Sequence, residues 1–257
     1  MNNFKSKILK FIGLIIFIPL IFSSCEGMFE GIYDEPLLQE NEEKPQTVYG
    51  FTAYDENTHK GTMYLNISDY DKWLYISFKD RKFDTIYIPQ TLTQDWDGIS
   101  GIHYQYVQGS NFSLDSIVKT DTQKDPAHWD IALHRYEGKV NGGAIQTNYS
   151  SLDELPPTSE NFDNANYTTD EWIDTLVMTD ISGMMNYYIG YQNIKCNKVL
   201  SNWLSMNIST PPPSYHPSNK VYILRLRNNT KVALRFDNYM SQNGTKGFAT
   251  ISFIYPY

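Results

Sequence analysis

The stretch 220–255 constrains the fold more tightly than any other part of the chain. It reads KVYILRLR, then Asn228-Asn229-Thr230, then KVALRF, then Asn243-Gly244-Thr245-Lys246-Gly247, then FATISFIY. Residues of strand preference alternate with polar ones, and each run ends on turn-forming residues. The pattern predicts three successive strands joined by tight turns, an antiparallel meander. The same grammar begins at Val48. Residues 64–78 (YLNISDYDKWLYISF) hold two strand-like runs about a polar break at Asp69-Tyr70-Asp71. In 129–136 (WDIALHRY), Trp129, Ile131 and Leu133 alternate with Asp130, Ala132 and His134, which predicts a strand with one apolar face. Asn141-Gly142-Gly143 then signals a turn. Residues 172–178 (WIDTLVM) form another strand-like run. Residues 150–170 read as a long polar loop, and 80–127 are too polar to assign. Aromatic residues make up 15% of the chain, with 20 Tyr, and that composition favours strands over helices. The fold class expected is mostly β, an antiparallel sheet domain with long loops. No sequence repeat recurs at a fixed period.

The N-terminus reads differently. Lys5, Lys7 and Lys10 precede an uncharged apolar run, 11–22 (FIGLIIFIPLIF), and small residues Ser23 and Ser24 stand directly before Cys25. The run is too short to cross a bilayer core, which takes about 20 helical residues. It matches the apolar region of a secretory signal peptide. Small residues before Cys resemble a bacterial lipobox, so 1–24 is expected to be removed and Cys25 to carry the lipid. The alternative is a plain signal peptide with Cys25 beside the cut. Two acyl chains (palmitate among them) would hold the protein stably to a membrane without crossing it. Residues 25–47 are acidic, carry two prolines and lack periodicity, as expected of the lipid anchor and a flexible linker. An acidic stretch after the lipidated Cys is similar to the surface-export signals of some Gram-negative lipoproteins. The expected location is the outer membrane, at the cell surface. Residues 48–257 remain for the β domain. Cys196 is the second of two cysteines, so no disulfide within the processed domain is expected, and Cys196 reads as a buried small hydrophobe.

Net charge is −8 with no basic run after the leader, which argues against nucleic-acid partners. HExxH, paired CxxC, GxSxG and Gly-rich phosphate loops are all missing from the sequence. The five His, at 59, 103, 128, 134 and 216, show no metal-ligand spacing. His134 reads as a packed strand histidine and His128 as a loop residue. Carboxylates are plentiful, yet nothing singles out a catalytic pair. The chain does not read as an enzyme.

Methionine is the more unusual feature. Met178 closes WIDTLVM, Met184-Met185 follow a Ser-Gly break, and Met206 lies in NWLSMNIS just ahead of Thr210-Pro211-Pro212-Pro213-Ser214-Tyr215. Met commonly fills core gaps. Alternatively, two thioethers from neighbouring loops clamp a soft metal centre such as Cu(I) or haem iron. Tyr187, Tyr188, Tyr191, Trp203 and Tyr215 would then offer aromatic walls for a flat macrocycle.

Several blocks, in order, carry a resemblance: SDYDKWLYISF, WDIALHRY followed by NGGA, SYHPSNKVYILR, and FDNYM with KGFATISFIYPY at the end. Together, from about Leu65 to Tyr257, they resemble the HmuY-like haem-binding lipoprotein family. The resemblance implies an antiparallel β fold of HmuY-like type. It also implies capture of haem, sometimes from host haemoproteins, and delivery to a TonB-dependent outer-membrane receptor. Family members hold haem between two axial ligands on neighbouring loops, His pairs in some and Met pairs in others. SGMM places Met184, or else Met185, at the first ligand position. Before PPSY the matching stretch is Asn207-Ile208-Ser209-Thr210-Pro211, where neither Ile208 nor Pro211 can ligate iron. Met206 is the nearest candidate for the second ligand, with His216 a weaker substitute, and Tyr187 and Tyr215 would line the pocket. The rival reading is a surface binding or adhesion module, recognising a protein or glycan, that has lost haem ligation. A glycan hydrolase ranks behind both.

Overall fold

The structure is a computed structural model that describes residues 48–88, 103–106, 124–173, 177–181, 188–192, 194–207, 209 and 213–257; for 103–106 and 188–192 it describes the backbone. In chain order the strands are β1 (Gly50–Asp55), β2 (Lys60–Asn66), β3 (Lys72–Ser77), β4 (Lys82–Tyr87), β5 (His103–Tyr106), β6 (Ile131–His134), β7 (Glu137–Val140) and β8 (Gly142–Gln146). They continue as β9 (Glu171–Trp172), β10 (Val177–Asp180), β11 (Tyr188–Gln192), β12 (Lys195–Cys196), β13 (Leu204–Asn207), β14 (Ser214–Pro217), β15 (Val221–Leu226), β16 (Lys231–Met240) and β17 (Lys246–Ile254). One helical turn, α1 (Lys198–Ser201), precedes β13.

Two antiparallel sheets build the body. One has six strands in the order β1-β2-β17-β16-β15-β8, the other four in the order β4-β3-β6-β7. The expected C-terminal meander is present: β15 pairs with β16, and β16 with β17, all antiparallel. The break at 69–71 likewise separates β2 from β3, but these strands enter different sheets. The second transfer between sheets comes at Asn141, where the expected turn falls. Asn141 Nδ2 donates to the Trp129 carbonyl at 2.8 Å, and its own carbonyl accepts from Arg227 N at 2.9 Å. Gly142 follows at φ +148°, where a Cβ would lie 2.1 Å from the Arg225 carbonyl. Glycine is required there because β8 approaches β15 too closely for any side chain.

The main core lies between the sheets. Met63 and Leu65 of β2, Tyr222 and Leu224 of β15, and Ile251 and Phe253 of β17 meet Leu74 and Ile76 of β3 and Ile131 and Leu133 of β6. Burying such side chains contributes about 1.5–3 kcal/mol each. The expectation of a single apolar face on 129–136 needs correction. Ile131 and Leu133 face this core, but Ala132 packs on the far side with Trp73, Tyr75, Val177, Ile194 and Cys196. His134 is buried as well. The second cluster draws on segments remote in sequence, so β6 is covered on both sides.

Residues 150–170 also form more than a loop. Two short 3-10 turns, Leu152–Glu154 and Ser159–Phe162, fold over the outer side of the six-stranded sheet. Leu152, Leu155, Phe162 and Tyr167 pack there on Val221, Ile223 and Ala233. The run 172–178 does not form one strand: its ends enter β9 and β10, which belong to different small sheets. Within 80–127 the structure shows β4 and β5. No helix among the described residues is long and apolar enough to cross a membrane.

Candidate functional site

Two hairpins carry the candidate residues. In the first, β10 pairs antiparallel with β11, and β11 with β5. Met184, Met185 and Tyr187 fall in the chain between β10 and β11 and lie outside the described residues, as does Cys25. Met178 is on β10 and half-buried. The second is the ribbon β13–β14, registered as Leu204↔Pro217, Ser205↔His216, Met206↔Tyr215 and Asn207↔Ser214. Directly opposed residues of an antiparallel pair project to the same side. Leu204, Met206, Tyr215 and Pro217 therefore share one side of the ribbon, and Ser205 and His216 the other. His216 cannot substitute for Met206 on that side, and its Nε2 lies 3.1 Å from Ser214 Oγ.

Sequence and packing explain how the ribbon is held. Asn197 caps α1 by accepting from Leu200 N at 3.0 Å. The turn delivers Trp203, fully buried, whose ring stacks on Phe236 at 4.2 Å and whose Nε1 donates to the Tyr136 carbonyl at 3.0 Å. Ser218 N closes the ribbon's base on the Trp203 carbonyl at 2.7 Å. Tyr215 stacks near-parallel on Tyr136 at 6.1 Å and tilts against Tyr239 at 5.3 Å. Lys246 Nζ sits 4.3 Å over the Tyr215 ring and donates to the Pro213 carbonyl. One edge of Tyr215 thus continues the core, and beyond it Met206 is 48% exposed. Core packing does not account for this methionine. A half-exposed thioether beside an aromatic ring is donor chemistry compatible with haem iron.

The remaining histidines and the cysteine are otherwise engaged. His134 places Nε2 2.7 Å from the Tyr70 carbonyl and Nδ1 3.0 Å from Glu137 Oε2, with its ring against Trp73. Both nitrogens are used in packing, as expected for a structural histidine. Cys196 is buried, and burial pushes its thiol up to about 11, so it is held as the thiol. Among the described residues no three His, Cys, Asp or Glu side chains group in a way that could hold a metal ion.

Beneath the ribbon lies a cluster that the sequence did not single out. Arg135 and Tyr136 form the two-residue turn joining β6 to β7, and Arg135 has φ +47°. Its guanidinium lies 4.1 Å over the Tyr70 ring and 5.4 Å over Tyr136. Burial acts to raise the Tyr136 phenol, but the Arg135 and Tyr215 side chains outweigh it and hold that phenol below its usual range. Burial and the Tyr136 hydroxyl push Tyr215 up to about 12, and burial raises Tyr239 further. The only signal in the sequence was an Arg where a two-residue hairpin turn ordinarily carries Gly or Asn.

The HmuY protein family matches residues 69–253. A solved structure described as a candidate HmuY-like haem-binding protein from Bacteroides vulgatus is 32% identical, covers 81% of this chain and 98% of its own, and superposes with a TM-score of 0.60. A candidate lipoprotein from Bacteroides fragilis is also 32% identical, with 83% and 99% covered and a TM-score of 0.59. The apo form of an HmuY analog from Tannerella forsythia, at 19% identity, shares the fold over 80% of this chain and 97% of its own, with a TM-score of 0.53. No curated protein matches the chain. With the match running from just before β3 into β17, over more than half of its residues, this chain belongs to the HmuY family.

Proposed function

We propose that the chain is a non-enzymatic, lipid-anchored outer-membrane protein that binds haem or a related porphyrin and delivers it for uptake. The observation that carries this reading is the half-exposed Met206 beside Tyr215, on a ribbon of an HmuY-family fold. The description of a 32%-identical relative as a candidate haem-binding protein supports it. Met206 would supply one axial ligand and Met184, or Met185, the other, with Tyr215 and Tyr187 as pocket walls. Haem would supply the iron, and this chain's part would be to offer it thioethers and to cover the macrocycle with aromatic rings. A thioether favours the reduced iron, so binding is tighter when the iron is ferrous.

The remainder of the reading concerns address and partners. Residues 1–24 act as signal peptide, Cys25 carries the lipid, 25–47 tether, and 48–257 form the binding domain. The name of the Bacteroides fragilis relative, a candidate lipoprotein, supports the anchor. Haem, free or taken from a host haemoprotein, is the cargo, and a TonB-dependent receptor is the acceptor. Titrating the purified protein with haemin, in air and under dithionite, tests the binding. A saturable, sharpened Soret band, stronger when reduced, is expected. A Met184→Ala, Met185→Ala, Met206→Ala variant that titrates like the parent would overturn the ligand assignment. Cys25→Ser should abolish labelling of the protein by radioactive palmitate in cells, and persistent labelling would remove the anchor from the account.

A further inference from the structure

Lys246 opens β17 and reaches from the six-stranded sheet to the ribbon. Its Nζ lies 4.3 Å over the Tyr215 ring and donates to the Pro213 carbonyl at 3.3 Å. The backbone ahead of it is fixed by a closed turn. Ser241 N donates to the Thr245 carbonyl at 2.8 Å, and Thr245 N donates to Ser241 Oγ at 3.0 Å. Lys246 then pairs with Met240 across β16 and β17. The ammonium is therefore delivered to one place beside the ribbon.

Its company differs from that of other lysines partly withdrawn from solvent. Lys72 meets Asp69 at 2.8 Å, Lys139 meets Asp125 at 3.3 Å, and Lys231 meets Asp163. Lys246 is half-buried too, yet no carboxylate among the described residues forms an ion pair with it. Lys220 also lacks an acid, but its Nζ goes to the Asn148 carbonyl and no ring among the described residues lies beneath it. An ammonium carries three donors, and the Pro213 carbonyl takes one. A partly desolvated cation with donors left over favours an anion.

The neighbours on the ribbon point to the kind of anion. Met206 and Tyr215 are opposed in the register and project to one side, and Lys246 lies over the same Tyr215 ring. Thioether, ring and ammonium thus follow one another in a strip, while Tyr136 and Tyr239 pack on Tyr215 from the core. A flat ligand with a metal at its centre and carboxylates at its rim has a partner for each end of that strip. We propose that Lys246 is a specificity-determining residue that pairs with a carboxylate at the rim of the porphyrin. The inference rests on the function proposed above and adds the ligand's carboxylate to it. A macrocycle whose rim is esterified loses the pairing and is discriminated against.

Metal-free protoporphyrin and its dimethyl ester test this without involving iron, by fluorescence titration of the purified protein. The wild type should bind the free acid about fivefold more tightly than the ester, as one ion pair at a partly exposed site allows. That preference should shrink as sodium chloride is raised. Lys246→Met keeps the apolar stem and should abolish the preference, whereas Lys246→Arg keeps the charge and should retain it. If Lys246→Met weakens acid and ester alike, the lysine is only a clamp between ribbon and sheet, and the proposal is overturned. A preference that survives Lys246→Met overturns it as well. Equal binding of acid and ester by the wild type, or no binding of either, does the same; the function proposed above survives that result if haemin still gives its Soret change.

Discussion

Met63 and Met206 both lie on β-strands, yet the molecule treats them in opposite ways. Met63 is fully buried between the two large sheets, among Leu65, Leu74 and Phe253. Met206 projects half into solvent beyond Tyr215 on a two-stranded ribbon. The contrast comes from what covers each strand. β2 lies inside a six-stranded sheet roofed by a second sheet, whereas the ribbon has two strands and is tied down at its base by Trp203 and Tyr215. The same thioether is packing material in one setting and an available donor in the other. Residue type alone cannot tell these apart.

The contrast can be broken or sharpened by substitution. Trp203→Ala should have the largest effect, because it removes both the stack on Phe236 and the bond to Tyr136 that join the ribbon to the core. A loss of about 3–5 kcal/mol by denaturant titration is expected, with the ribbon disordered as well. Met63→Ala should cost about 2–5 kcal/mol by the same measurement, while leaving haemin affinity per folded molecule unchanged. A loss of affinity there would show that the two regions are not separable.

Asp170 provides a pH test of the body alone. Burial, opposed by its bonds from Val140 N, pushes its carboxyl up to about 6. The folded state therefore holds this proton more tightly than the unfolded chain does. Its contribution is fully present below about pH 4 and is lost as pH rises through about 6, a fall of roughly 2–3 kcal/mol. Asp170→Asn should flatten that stretch of the stability profile without altering the ribbon. The smallest effect is expected from Met206→Ala, which should change stability by less than about 0.5 kcal/mol. A larger loss would mean that the methionine is structural.

Much of the body was legible because periodicity and turn chemistry agreed. The meander β15–β17 alternates regularly between Asn228-Asn229 and Asn243-Gly244, and Asp69-Tyr70-Asp71 divides β2 from β3. The second cover over β6 was not legible, because Ala132 meets Val177, Ile194 and Cys196 through tertiary contacts that no local pattern encodes. Residues 150–170 hid their packing for a related reason: Leu152, Leu155 and Phe162 follow no strand or helix period. At the site, sequence named Met206 and Tyr215, but their pairing depends on the β13–β14 register, which no local pattern encodes. Arg135 escaped notice because its burial against the Tyr70 and Tyr136 rings arises from tertiary packing, which only the folded structure shows.

The central claim is that the ribbon's exposed thioether receives haem iron. It is tested most directly by titrating wild type, Met206→Ala and Met206→His with haemin under dithionite and in air. The account predicts a saturable Soret change in wild type that is stronger when reduced. It predicts at least tenfold weaker binding in Met206→Ala, and recovery in Met206→His with the preference moved toward the oxidised iron. Binding by Met206→Ala equal to wild type in both states would contradict it.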